Sequence, residues 1–377
     1  MQYDAALDTS ATKTAICVIA RGDGSIVFEA TVPTDPAAIA DALKPYRARL
    51  HLVGHEAGAL SPWLHRELQA RGLPMVLLET RHAAAALKAQ RNKTDKKDAR
   101  GLAQLVRSGW FREVHVKSEA SHRLKLLLTS RRVLKRKLLD IENEVRQSLK
   151  AFGLMVGPRV QRSTFERRIR DLVGHDPLIA EVMDCLLTAW SALWAQYKRL
   201  HNLIVRFVGR DELCRRLMAI PGVGPVVALT FRTGVDDPRR FRKSKTVGAH
   251  FGLTPRRIES GDTIAYDGRI SKCGDQEVRT ALYEAASGML VRSKKWCTVK
   301  AWGVRIAARR GHKRAVTAVA RKLAVIMHRM WLDGTEFRFG AENVQPAASP
   351  SAHPGGARLR VVSASARTVS MRRIERN

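Results

Sequence analysis

Gln2-Tyr3-Asp4-Ala5-Ala6-Leu7-Asp8-Thr9-Ser10, then Lys13-Thr14-Ala15-Ile16-Cys17-Val18-Ile19-Ala20, then Arg21-Gly22-Asp23-Gly24-Ser25-Ile26-Val27-Phe28-Glu29-Ala30: these runs open the chain and set its architecture. Gln2–Asp8 reads as a short strand. Thr14–Ala20 and Ser25–Ala30 are apolar, β-rich runs joined at Gly22-Asp23-Gly24, a good hairpin turn. After them the pattern changes to strands alternating with helices. Asp35-Pro36 supplies an N-cap and a first-turn proline for a helix running towards Leu50. His51–Glu56 is a further strand. Ser61-Pro62 opens a second helix, which Gly72 ends. Pro74–Glu79 is another strand, and Thr94 or Asp95 caps a helix to about Ser108.

Three antiparallel strands followed by strand–helix alternation is the element order of an α/β RNase H-like (RuvC-type) fold, expected over residues 1–115. Residues 116–210 read as helical. Ser118–Phe152 carries a loose apolar stripe, and Ile179, Met183, Leu186, Trp190, Leu193, Tyr197, Leu200, Ile204 and Phe207 recur at alternating steps of four and three, a coiled-coil seam. Its partner is either the chain's own preceding helix, with Gly153–Pro177 as the bend between them, or a second copy. A mainly helical C-terminal domain follows over residues 211–340. Residues 341–377 are rich in Pro, Ala, Ser and Arg and are expected to be a disordered basic tail.

The chain has 377 residues, with 67 Lys and Arg against 35 Asp and Glu, a net charge of +32. Such a balance points to nucleic acid and away from an ordinary metabolite enzyme. An anionic membrane is the competing partner, but the basic residues are spread along the whole chain and no apolar run looks long enough to span a bilayer. The five cysteines lie far apart without a Cys-x-x-Cys pair, and the N-terminus lacks the pattern of a secretory signal, so a reducing cytoplasmic setting is expected.

Against this basic background, four carboxylates are placed suggestively. Asp8 and Glu56 end predicted strands. Asp95 and Asp98 lie three apart at a helix start, in Asn92-Lys93-Thr94-Asp95-Lys96-Lys97-Asp98-Ala99. Alone, the last pair would read as a cap and a first-turn acid favoured by the helix dipole. Four gathered carboxylates would instead repel one another unless cations neutralised them, and two Mg²⁺ ions would do so while orienting groups on phosphorus. Lys93, Lys96 and Lys97 would add phosphate-binding charge beside them. Arg131, Arg132, Lys135 and Arg136 form a second basic run. Ile220-Pro221-Gly222-Val223-Gly224 reads as the turn of a helix-hairpin-helix, in which Gly222 and Gly224 let a phosphate approach, or else as a plain Gly-rich turn. Arg256, Arg257 and Lys272 flank a predicted strand around Thr263–Tyr266.

These blocks resemble the DEDD transposases of bacterial insertion sequences, the family of bridge-RNA-guided recombinases that includes Piv-type invertases. The resemblance rests on Leu7-Asp8-Thr9-Ser10, His55-Glu56-Ala57-Gly58, Lys93–Ala99, Ala219–Pro225, Phe251-Gly252-Leu253-Thr254-Pro255, Ser260-Gly261 and Gly268–Asp275, in family order from Met1 to about Gly340. The turn after Asp8 departs from the Gly-Ile-Asp-Val-Ser-Lys common in the family. The resemblance implies a DNA transposase or site-specific recombinase that holds Mg²⁺ through Asp8, Glu56, Asp95 and Asp98. It also implies a serine in the C-terminal domain that attacks DNA phosphate, for which Ser260 is preferred over Ser271. Donor and target DNA, a structured guide RNA and a homo-oligomer (dimer or tetramer) would be the partners, in a cytoplasmic, nucleoid-associated setting. Three rivals remain: a sugar-kinase or actin-like ATPase, which lacks a later phosphate loop here; a Holliday-junction resolvase-like nuclease that does not rejoin; and a non-enzymatic architectural nucleic-acid-binding protein.

Overall fold

The computed structural model describes residues 1–88, 94–158, 160–260 and 263–340, with the side chains of 257–260 and 263–267 left out. The expected tail, 341–377, and Lys93 lie outside the described residues. The N-terminal unit holds β1 (Tyr3–Thr9), β2 (Lys13–Ala20), β3 (Ile26–Pro33), α1 (Pro36–Leu43), β4 (Leu50–Glu56), α2 (Ser61–Ala70), β5 (Met75–Leu78), α3 (Thr80–Leu87) and α4 (Asp95–Ser108). Its sheet runs β3-β2-β1-β4-β5. β2 pairs antiparallel with β1 and β3, and β1, β4 and β5 pair in parallel, which is the RNase H-like order expected from the sequence.

β1 is central and buried on both faces, so its side chains divide by strand parity. Tyr3, Ala5 and Leu7 pack with Ile39 and Leu43 of α1 and Leu64 and Leu68 of α2. Ala6 faces the other way, onto Ala99, Leu102, Ala103 and Val106 of α4. Each fully buried leucine in these layers contributes about 2 kcal/mol. Local chemistry fixes the helix starts. Asp35 accepts from the N–H groups of Ala37 and Ala38, and the Thr94 side chain accepts from Lys97 N. α1 stops at Leu43, short of the expected Leu50, because Pro45 cannot continue the helix; a 3₁₀ turn, Arg47–Arg49, then leads into β4.

The middle of the chain is three helices: α5 (Glu119–Lys150), α6 (Arg162–Val173) and α7 (Pro177–Arg210). The segment expected to be a simple bend therefore contains α6, whose Phe165, Ile169 and Val173 recur every fourth residue and are buried. α5 and α7 lie antiparallel: Arg131 Nη2 donates to Tyr197 Oη at 2.6 Å and Trp190 Nε1 to Glu142 Oε1 at 3.1 Å. Arg162 of α6 also donates to Glu142 at 2.6 Å, so one buried carboxylate ties all three helices. Every position of the α7 seam is buried or half-buried within one chain. The seam's partner is thus the chain's own helical hairpin. α7 is also long and apolar enough, by length and composition, to cross a bilayer, contrary to the sequence expectation; here it packs on α5 and α6.

The C-terminal domain comprises α8 (Glu212–Met218), α9 (Pro225–Val235), α10 (Lys245–His250), β6 (Pro255–Ser260), β7 (Thr263–Ile270), α11 (Gln276–Ser287), α12 (Thr298–Arg310) and α13 (His312–Asp333). α13 runs through its core, with Val316, Val319, Ala320, Leu323 and Met327 buried and the helix packed against α10, α11 and α12. Leu128 of α5 and Ile204 and Val208 of α7 join the same core, so the base of the helical hairpin is rooted in this domain.

Candidate active site at the carboxyl edge of the sheet

Asp8 and Glu56 sit at the carboxyl ends of adjacent parallel strands. Leu7 pairs with His55, so the next residues, Asp8 and Glu56, stand side by side on the same face. That face is the one α4 covers. Gly54, two residues before Glu56, faces Val106 of α4 so closely that a side chain there would collide with it. α4 then runs back towards the β2–β3 turn, where Gln104 donates to the Gly24 carbonyl at 2.9 Å. Its N-terminus is therefore left at the carboxyl edge, beside Asp8 and Glu56.

Asp95 and Asp98 extend the buried stripe of α4 (Ala99, Leu102, Val106) past the edge of the sheet. Asp98 is buried and Asp95 exposed; Asp8 and Glu56 are half-buried. The four sequence candidates are thus brought to one edge and one face. The hard oxygen donors suit a divalent cation such as Mg²⁺. Among the described residues, no three Asp, Glu, His or Cys side chains are close enough together to hold a metal ion as the chain stands.

The backbone after Glu56 is tightly held. Ser61 Oγ donates to the Glu56 carbonyl and accepts from Gly58 N, both at 2.7 Å, and Thr80 Oγ1 donates to the Ala57 carbonyl at 2.7 Å. Behind Glu56, on the opposite face, His55 Nε2 lies 3.1 Å from His65 Nδ1 in a stacked, buried pair. Burial, then the neighbouring His65, pushes His55 down to about 3, so the pair is uncharged at neutral pH. Nearer the middle of the α4 face, Arg100 and Lys96 clamp Glu29 of β3, and those hydrogen bonds, led by Arg100, hold Glu29 at about 2.

The same edge opens onto an interdomain cleft of about 870 Å³. Glu79, following β5, and the stretch Arg112–Lys117 form one wall; Arg240, Phe241, His250, Ser271, Cys273 and Asp275 form the other. The linker is stitched to β5 through Val114 N to Leu77 O (2.8 Å) and Glu79 N to Arg112 O (2.9 Å). Two aspartates of the C-terminal domain then seize it. Asp236 accepts from Ser118 Oγ (2.6 Å) and Ser118 N (2.9 Å) and pairs with His115 Nε2 (2.8 Å). Asp275 caps α11 and pairs with Lys117 (3.5 Å) and Lys125 (3.1 Å). Burial alone would raise Asp275, but the two lysines hold it below the usual carboxylate range.

The remaining candidates separate. Ser271 lines this cleft. Ser260 is the last residue of β6 and pairs with Thr263 at the tip of the hairpin, whereas Pro255 pairs with Ile270 at its base. The tip stands about 16 Å from that base. The side chains of Ser260 and Arg257 lie outside the described residues. Arg256 is exposed and reaches the Ser271 carbonyl at 3.4 Å; Lys272 is exposed with a left-handed φ of 56°. Gly222 has a φ of 87°, and a side chain there would meet the backbone of Ala285 and Met289. Close packing therefore accounts for that glycine without a phosphate, while Gly224 is open and leads into α9. Arg131 is committed to Tyr197, stacked 4.7 Å from its ring centre, and Arg132 to Glu277 at 2.6 Å; Lys135 and Arg136 are exposed. The clamp residues Asp236 and Asp275, and Glu79 at the carboxyl edge of the sheet, were not singled out by the sequence. Only the placement of Glu79 at a predicted strand end could have flagged it.

A carboxylate-bearing RNase H-like sheet joined to a helical second domain is the build of a nucleic-acid-processing enzyme. Comparison with known proteins makes the class specific: residues 5–153 match the DEDD transposase domain of the IS110 type, and residues 214–301 match the Transposase IS116/IS110/IS902 family. The chain thus carries the DEDD and IS116/IS110/IS902 domains of an insertion-sequence transposase. Among curated relatives, the transposase for insertion sequence element IS1111A of Coxiella burnetii is 29% identical over 294 residues, covering 77% of this chain and 80% of that protein. The putative transposase y4pF/y4sB of Sinorhizobium fredii is 26% identical (82% and 76%), and the transposase for IS1328 of Yersinia enterocolitica 25% identical (76% and 85%). Among solved structures, T. thermophilus RuvC in complex with a Holliday junction substrate aligns with 30% of this chain and 100% of its own, at 14% identity and a TM-score of 0.25.

Proposed function

We propose that this transposase cleaves and rejoins DNA strands at the carboxyl edge of its N-terminal sheet, with Asp8, Glu56, Asp95 and Asp98 holding Mg²⁺ and Ser260 acting as the nucleophile. The observation that carries the reading is the side-by-side register of Asp8 and Glu56 on the face whose covering helix starts with Asp95 and Asp98. Bound there, Mg²⁺ would neutralise the carboxylates and polarise a phosphoryl oxygen. Asp98, buried at the helix start, would be the least free to move, and Asp8, Glu56 and Asp95 would draw towards it. Ser260 Oγ would form a bond to phosphorus as a deoxyribose oxygen leaves, and the released hydroxyl would later attack the phosphoserine to reseal a strand. The phosphodiester energy is thereby kept without a separate energy source.

A serine at the tip of a projecting hairpin can reach a site outside its own domain, on this chain or on a neighbour. That geometry favours a homo-oligomer, dimer or tetramer, as the working form. A structured guide RNA that selects donor and target DNA, and a cytoplasmic, nucleoid-associated location, complete the proposal; the net charge of +32 suits both nucleic acids.

The test is to incubate the protein with donor and target DNA and the RNA from its element's flank, then look for a protein–DNA adduct on a denaturing gel. Asp98→Asn should lose strand cleavage by at least about 10³-fold while nucleic-acid binding survives, as expected for loss of a metal-held charge site. The adduct should map to Ser260 and vanish in Ser260→Ala. Activity in EDTA removes the metal from the reading. An adduct on Ser271 moves the nucleophile into the interdomain cleft. Cleavage without any adduct or rejoining leaves a resolvase-like nuclease.

A further inference from the structure

The longest acid-free stretch of the described chain lies at its far end. Between Glu284 and Asp333 there are twelve Lys and Arg and not one Asp or Glu. The fold gathers five of them at one corner: Arg305, Arg309 and Arg310 on the last turns of α12, and Lys313 and Arg314 on the first turn of α13. All five are exposed, and among the described residues none makes an ion pair. Gly311, φ 83°, joins the two helices with open space around it, and α13 starts without a side-chain cap. The corner lies beyond residue 301, where the family matches end.

We propose that this α12–α13 corner is a second DNA-contact surface, which grips the phosphate backbone of a duplex away from the reacting strands. The proposal rests on the reading that the protein acts on DNA. Five unpaired cations held on two helix ends would repel one another in the free protein, and a polyanion relieves that repulsion. The ligand is a duplex backbone rather than unpaired bases, because residues 303–330 contain no Phe, Trp or Tyr on which a base could stack. The surface is separate from the interdomain cleft. His328, further along α13, bonds Ser244 and the Pro238 carbonyl beside that cleft, and Arg314 stands about 21 Å from it along the helix. A duplex engaging both places would be held at two points, which sets its direction across the protein.

The experiment measures binding of the full chain to a duplex DNA of arbitrary sequence as a function of salt. Each phosphate contact adds about 0.9 to the slope of log K against log salt. The variant Arg309→Gln, Arg310→Gln, Lys313→Gln, Arg314→Gln should lose about 3 from that slope. A charge-matched variant at exposed sites elsewhere (Arg167→Gln, Arg168→Gln, Arg199→Gln, Arg206→Gln) should lose less than about 1. The charge-keeping variant Arg309→Lys, Arg310→Lys, Arg314→Lys should bind as wild type does, which excludes misfolding of the corner as the cause. An unchanged slope in the corner variant overturns the proposal, as does an equal loss in the charge-matched one. A loss confined to a structured RNA hairpin makes the corner an RNA surface and overturns it too. Failure of wild type to bind any duplex overturns the functional reading itself.

Discussion

Asp236 offers a sharp test of how the two domains are held together. Its backbone sits at φ 64° and ψ −71°, a region that non-glycine residues rarely occupy, and its carboxylate receives Ser118 Oγ, Ser118 N and His115. Ser118 is the N-cap of α5, so the contact anchors both the linker and the long helix. Two opposing contributions can be separated by substitution. Asp236→Ala removes the hydrogen bonds but keeps the strained backbone, and breaking a half-buried charged network of this kind costs about 2–3 kcal/mol. Asp236→Gly removes the same bonds while releasing roughly 1–3 kcal/mol of backbone strain. Its greater unfolded-state freedom returns about 0.4–1 kcal/mol of that. Glycine should therefore be the milder change by about 1 kcal/mol, the reverse of the usual order. Urea denaturation of the full chain measures both, and protease cleavage within residues 109–118 should quicken in each variant as the linker loosens. If Asp236→Ala is no worse than Asp236→Gly, the strain argument fails; if both lie within about 0.5 kcal/mol of wild type, the clamp does not hold the domains.

Two further outcomes are expected. His55 is held at about 3 by burial, below its unfolded value near 6.5, so the unfolded chain binds more protons between those limits and stability falls as pH drops through that window. From pH 7 to pH 5 His55 alone should account for about 2 kcal/mol of the loss, so His55→Phe should lose about 2 kcal/mol less than wild type in urea melts at the two pH values, while His250, held at about 4 by burial, keeps its own share; equal losses in both proteins would place the acid sensitivity elsewhere. On α7, Leu193→Glu and Leu200→Glu should destabilise the helical hairpin, because those positions are half-buried within the chain. Leu178→Glu and Val182→Glu, which are exposed, should instead lower the sedimentation mass if helix ends join copies; an unchanged mass shows that assembly uses another surface.

The sheet was legible because its signals are local. Strand parity, the Gly22-Asp23-Gly24 turn and the caps at Asp35 and Thr94 each act over a few residues, and together they fix the order in which elements meet. The carboxylates were legible for the same reason: a strand's last residue and a helix's first turn can be read from the sequence, and parallel pairing does the rest by standing Asp8 beside Glu56. α6 was missed because a twelve-residue helix with Arg162, Arg167, Arg168 and Arg170 shows only every fourth residue apolar. The seam of α7 correctly announced a partner helix and was silent on whose, since a hole lined by Leu138 and Val145 is the same hole in either copy.

What the sequence could not show is how the carboxylate edge meets the C-terminal domain, because that contact is made by polar residues with no periodicity. Asp236 is 121 residues from His115 and Asp275 is 158 from Lys117, and each aspartate also has a plain local role, ending α9 or capping α11. Those local roles would satisfy any reading of the sequence. Yet an aspartate that only ended a helix would have no reason to adopt a left-handed backbone when glycine does so without strain. The strain is explained only if the side chain is needed where that backbone aims it, at the start of α5. The clamp thereby fixes the linker that leaves β5, and with it the distance between the carboxylate edge and the base of the β6–β7 hairpin. Loosening the clamp should leave each domain folded while separating the carboxylates from the serine-bearing hairpin, so strand cleavage should fall further in Asp236→Ala than its loss of stability accounts for.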